Sequence, residues 1–162
     1  MKGKTITQKE IETGYYEHGL IRLQIIVVDG RLEQISFVEQ IPLGQTCSSS
    51  VQLVINQLDE YFEGRRKKFD LSYKLSGTAF QQAVWRQIAA IPYGKTVSYQ
   101  QIAERIGNPK ACRAVGAATG RNKLPIVIPC HRVVGARGEL TGFGGGLGVK
   151  EYLLELEGIR DF

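Results

Sequence analysis

Leu124-Pro125-Ile126-Val127-Ile128 is an unbroken apolar run that leads straight into Pro129-Cys130-His131-Arg132-Val133. Such a run belongs in the interior, and its β-branched content predicts a buried strand. Cys130 then leaves the end of a buried element with its side chain held by neighbours. The rest of the chain has to be built around that stretch. A thiolate, not a thiol, is the nucleophile, and a nearby base or positive charge produces it. A Cys behind an apolar run also serves as a small buried hydrophobe. Adjacency of Cys130 and His131 alone leaves both readings open.

A chain of 162 residues with 43% hydrophobic content suffices for one domain or two small packed ones. No apolar stretch approaches the roughly 20 residues that a membrane span needs. The start, residues 1–10, is basic but lacks an apolar segment, so no signal peptide is expected. Three Cys without paired spacing argue against a disulfide framework and for a reducing compartment, the cytoplasm of a bacterium. Charge is unevenly spread. Residues 95–150 hold nine Lys and Arg against two Glu, whereas the remainder is slightly acidic. A basic surplus confined to the region of Cys130 points to a polyanion, with nucleic acid foremost.

In the first part, residues 20–28 and 31–38 are β-rich runs separated by Asp29-Gly30, the strongest short hairpin signal. Val51, Val54, Ile55, Leu58, Tyr61 and Phe62 recur at helical spacing, with Ser48 to Ser50 to cap the start and Gly64 to stop it. Residues 69–75 read as a further strand. Arg65 to Lys68 complement the helix C-terminus. His18 reads as a surface residue, and Cys47 has no partner at metal-ligand spacing. This part reads as a scaffold without chemistry, with a boundary near Ser76-Gly77 that gives units 1–76 and 77–162.

The second part is punctuated by caps. Thr78 with Gln81 and Ser98 with Gln101 are capping boxes, and Gly94 and Gly107 follow the helices they open. Asn108 is placed to cap a third helix from Lys110 to about Thr119, with Pro109 in its first turn. The second and third helices make a helix-turn-helix. Its second helix carries Ala111, Cys112, Ala114, Val115, Gly116, Ala117 and Ala118. A major-groove recognition helix normally carries long polar side chains. A smooth face of Ala114, Gly116 and Ala117 instead permits close approach to a minor groove, with Arg113 as a wedge. Close helix–helix packing is the plainer use of small residues, and Cys112 and Val115 are expected to face the core. Residues 141–147 place four glycines around Phe143, a backbone that can approach a flat ligand. The loop lacks the Lys-Ser/Thr end of a phosphate loop. Val149, Leu153, Leu154 and Leu156 mark a last helix.

Five blocks carry a resemblance: residues 77–85; residues 91–99; Arg113-Ala114-Val115-Gly116; Asn122 with residues 128–133; and Gly145-Gly146-Leu147 with Lys150. In these the chain resembles the O6-alkylguanine-DNA alkyltransferases (methylated-DNA–protein-cysteine methyltransferases), from about Leu20 to Gly158. The resemblance implies an α/β (α+β) fold, with a small ribonuclease-H-like β-sheet domain followed by a mostly helical one. It implies irreversible, single-turnover alkyl transfer from O6-alkylguanine, and O4-alkylthymine, in double-stranded DNA to Cys130. His131 would act as base through a water, with Glu157 orienting it and Asn122 bracing the turn. Tyr99 would donate to the guanine ring and Arg113 would fill the base stack. The carbonyls of Cys130 and Val133 would read the exocyclic amine, Phe143 would lie against the base, and the Gly144 backbone would meet its edge. Lys150 would support the loop. Ala114, Gly116 and Ala117 would lie on DNA. No metal or cofactor, no membrane and a monomeric state are implied. A non-catalytic alkylated-DNA recognition protein of the same fold is the alternative, but such relatives replace the acceptor Cys. Many relatives carry Ser where this chain has Gly144, which bears on adduct range.

Overall fold

The computed structural model describes residues 8–162. The reading of the chain start as free of a leader rests largely on residues 1–7, outside that range. A three-stranded antiparallel sheet opens the fold: β1 (Ile11–His18), β2 (Ile21–Val28) and β3 (Arg31–Phe37), in the order β1-β2-β3. Asp29 and Gly30 have φ of 49° and 77°, the pair of left-handed conformations that a type I′ turn needs. Ile21, Leu23, Ile25 and Val27 alternate along β2 and are buried. Helix α1 (Ser49–Phe62) covers this face with Val51, Val54, Leu58, Tyr61 and Phe62, and the Ser48 side chain accepts from the Val51 N–H. A Cβ at Gly14 would lie 2.2 Å from Val51 Cγ1, so glycine in β1 lets the helix seat closely.

The strand expected over residues 69–75 is not formed as such. One bridge joins Leu32 and Tyr73. The Gln57 side chain holds both the N–H and the carbonyl of Asp70, at 2.9 and 2.8 Å, so this stretch is hung from α1 by a side chain. His18 lies at the end of β1, stacked on Phe62 at 4.9 Å.

Helices α2 (Ala79–Ala89), α3 (Tyr99–Arg105), α4 (Cys112–Gly120) and α5 (Leu147–Leu156) follow, with two short parallel strands, β4 (Val97–Ser98) and β5 (Val133–Val134). Both capping boxes form. Helix α4 begins two residues later than the spacing predicted and has no side-chain cap. Asn108 instead closes a turn, its carbonyl accepting from the Ala111 N–H at 3.0 Å. Trp85, the only tryptophan, is fully buried on α2 and donates its indole N–H to the Ala118 carbonyl on α4 at 2.8 Å. Cys112 is only half-buried, whereas Val115 points fully inward. One hydrophobic cluster runs from Tyr16 and Leu23 through Trp85 to Leu153, across both parts of the chain. Among the described residues no helix is long and apolar enough to cross a membrane.

Overpacking a tight core contact costs about 1–3 kcal/mol. Gly14→Ala should therefore lower unfolding stability by roughly that amount in urea titrations, and Val51→Ala in the same chain should recover part of the loss.

Candidate active site

The apolar run before Cys130 is buried, but it is a turn and not the expected strand. Leu124, Ile126 and Ile128 are at most 1% exposed. The Ile128 N–H donates to the Leu124 carbonyl at 2.8 Å, and Pro125 and Ile128 form one isolated bridge. Ile126 adopts φ 74°, a left-handed conformation that costs a β-branched residue on the order of 1–3 kcal/mol. Asn122 holds the turn in that state. Its amide donates to the Ile128 carbonyl at 2.8 Å, and its oxygen accepts from the Leu124 N–H at 2.9 Å.

Cys130–Arg132 then form a single 3₁₀ turn before β5. The tight turn sends neighbouring side chains different ways. Cys130 faces a cleft of about 240 Å³, lined also by Asn122, Tyr99, Gly116, Phe143 and Gly144. The Tyr99 hydroxyl is paired with Thr141 Oγ1 at the rim. His131 points inward with no exposed surface.

Behind the cysteine, groups converge on Glu157, the residue that closes α5. His131 Nε2 lies 3.0 Å from Oε1. Arg132 grips both carboxylate oxygens, through Nη2 to Oε1 at 2.7 Å and Nε to Oε2 at 2.9 Å. The Tyr61 hydroxyl donates to Oε1 at 2.8 Å. Burial alone would push the Glu157 carboxyl up, but the hydrogen bonds and charge of His131 and Arg132 outweigh it and hold its pKa at about 2. An ionised carboxylate only accepts, so Nε2 must carry the imidazole proton. Nδ1 is then a free lone pair. It is buried and has no partner among the described residues.

Burial lowers the His131 pKa, more than Glu157 raises it, so the ring rests neutral. Burial raises the Cys130 pKa, while a hydrogen bond from Asn122 and the Lys150 charge pull it the other way. The resting pair is thus a thiol and a neutral base, with a cation nearby to favour the thiolate once it forms. Lys150 has no exposed surface and donates to the Val133 carbonyl at 2.7 Å and the Thr141 carbonyl at 3.3 Å, stapling the glycine-rich loop to β5.

Of the residues singled out in the sequence, Cys130, Asn122, Tyr99, Gly116, Phe143 and Gly144 meet around the cleft. His131 and Glu157 form the buried pair behind it, and Lys150 holds Val133. Arg113, Ala114 and Ala117 lie apart from the cleft, on the exposed face of α4. The first part of the chain is not the inert scaffold expected of it. Tyr61 reaches Glu157, and Ile35, Ser36 and Phe37 of β3 line the cleft. Tyr61 was readable only as one apolar position of α1; its signal was a hydroxyl on a wholly buried stripe, which requires a partner. Arg132 was readable only as part of the Cys130 motif.

Removing one partner of a buried ion pair costs about 3–5 kcal/mol. Glu157→Gln should lose that much at pH 7 in urea unfolding. Because folding depresses the carboxyl pKa from 4.5 to about 2, its stabilisation is present above the unfolded value and disappears as the pH falls towards 2. The gap between the variant and the parent should therefore close in acid. Tyr61→Phe should cost about 1.5–3 kcal/mol, the range for a hydrogen bond to a charged group.

The family model for the DNA-binding domain of 6-O-methylguanine DNA methyltransferase matches residues 79–159. Methylated-DNA–protein-cysteine methyltransferase of Methanosarcina acetivorans is 55% identical over 102 residues, 63% of this chain and 65% of that protein. The matched segment thus spans just under two thirds of that relative. The protein of the same name from Mycobacterium leprae is 46% identical over 140 residues, 86% of this chain and 82% of its own length. The crystal structure of OGT from Mycobacterium tuberculosis in complex with DNA superposes with a TM-score of 0.79 at 43% identity, covering 88% of this chain and 91% of that one. An O6-methylguanine DNA methyltransferase from Methanococcus jannaschii gives 0.67 at 28% identity, over 92% and 95% of the two chains. With its thiol, imidazole and carboxylate set in this fold, the chain belongs to the O6-methylguanine DNA methyltransferase family.

Proposed function

We propose that the chain repairs double-stranded DNA by moving an alkyl group from guanine O6, and from thymine O4, onto Cys130. One observation carries the reading. The Cys130 thiol opens into a nucleobase-sized cleft while, behind it, His131 has Nε2 committed to Glu157 and Nδ1 free. His131 Nδ1 takes the thiol proton through a bridging water, and Glu157 stabilises the imidazolium that results. The thiolate sulfur then bonds to the alkyl carbon as the carbon–O6 bond breaks in line. The electron pair goes to the released base, and a proton from the Tyr99 hydroxyl follows it. Sulfur ends as a thioether, which no group in the site can cleave, so each molecule acts once.

An O6 adduct lies inside the duplex, and reaching the cleft means flipping the nucleotide at a cost of a few kcal/mol. Phosphate contacts from the basic segment offset that cost. The exposed face of Ala114 and Ala117, with Gly116, approaches the minor groove, and Arg113 occupies the space the base leaves. Phe143 and the Gly144 backbone take the flipped base, and the Cys130 and Val133 carbonyls read its amine. Val133 spends one lone pair on Lys150 and keeps one for this. We assign residues 1–76 and 77–162 as the two units, a cytoplasmic site of action and a monomeric working form.

The test is intact and peptide mass analysis after mixing with one equivalent of a duplex carrying O6-methylguanine. One methyl should appear on the Cys130 peptide, and Cys130→Ser should bind the duplex without gaining mass. Binding by the parent chain without any mass change would establish the alternative, a lesion-recognition protein.

A further inference from the structure

We propose that Phe37, on the N-terminal sheet, sets the size of alkyl group that the site accepts and favours methyl over benzyl adducts. The inference rests on the alkyl-transfer reading and names the substrate class within it.

The cleft at Cys130 holds about 240 Å³, below the roughly 300–1,000 Å³ of pockets that take drug-sized ligands. That space has to hold both a flipped purine and its adduct. One wall of the cleft comes from β3, an edge strand of the sheet. That wall does not float. The Ile35 N–H donates to the Lys123 carbonyl at 2.9 Å, which ties β3 to the Asn122 turn beneath Cys130. The Phe37 ring meets Phe143 edge-to-face, with centroids 5.6 Å apart and planes at 69°. The ring also meets the glycine-rich loop, where a Cβ at Gly145 would sit 2.8 Å from it. The ring is therefore packed against both Phe143 and the Gly145 backbone.

Gly144 is unlike Gly145. A Cβ there would meet nothing within 4 Å. Gly144 adds no side chain to the cleft wall, whereas Phe37 adds a ring held in place by packing.

The experiment measures single-turnover rate constants for duplexes carrying O6-methylguanine and O6-benzylguanine. The ratio of benzyl to methyl rates is compared among the parent, Phe37→Ala, Phe37→Leu and Phe37→Trp. A ratio cancels losses that affect both adducts alike. One or two methylenes of pocket space shift such preferences by about tenfold or more. The ratio should rise by at least about tenfold in the Ala variant, rise less in the Leu variant and fall in the Trp variant. Gly145→Ala should lower the ratio in the parent, by pressing the ring into the cleft, and leave it unmoved when Phe37 is already Ala. A ratio that stays at the parent value in both the Ala and Leu variants overturns the assignment to Phe37. A parent chain that transfers neither group overturns the alkyl-transfer reading itself.

Discussion

A single buried carboxylate ties the two parts of this molecule together. Glu157 sits where α5 ends, and carbonyls at a helix C-terminus disfavour negative charge. It remains ionised because Arg132 grips both oxygens while Tyr61 and His131 add further donors. These partners come from α1, from the 3₁₀ turn at Cys130 and, through the Arg132 bond to the Ile91 carbonyl at 2.6 Å, from the turn after α2. The interaction that orients the imidazole is therefore also the one that joins the sheet-side helix to the helical part. Chemistry and assembly draw on the same four side chains.

The turn from Asn122 to Cys130 stores the opposite kind of constraint. Ile126 is held in a conformation its side chain disfavours, between two prolines and inside a turn that Asn122 closes by donating one hydrogen bond and accepting another. The cost is met by burial of Leu124, Ile126 and Ile128 and gives a rigid platform for Cys130. A strand would have carried side chains to alternate faces. A locked turn instead presents a buried thiol at the floor of a cleft with its donor, Asn122, alongside.

Much of this was legible in the chain. Asp29-Gly30 and the Thr78–Gln81 and Ser98–Gln101 boxes state their local geometry through side-chain chemistry within three residues, and those elements formed where they pointed. The start of α4 did not, because Asn108 has a competing turn available and took it. The 124–128 run misled because apolarity reports burial and not backbone conformation. β1 gave little warning, since its alternation is diluted by Glu12, Gly14 and Glu17. Of the candidate site, Cys130 and His131 stood out by their adjacency behind an apolar run, whereas the roles of Asn122 and Glu157 were named only through the family resemblance. Tyr61 and Phe37 are distant in sequence and look like ordinary core positions. Their places beside the site depend on how the sheet packs against the helices, which local pattern does not encode.

Trp85 gives the molecule a reporter that needs no label. Its indole is sealed on α2 and hydrogen-bonded to the backbone of α4, whose opposite face carries Arg113, Ala114 and Ala117. A displacement of α4 changes the surroundings of that indole, the only tryptophan in the chain. Emission from one buried indole can therefore report the position of α4 without disturbing Cys130.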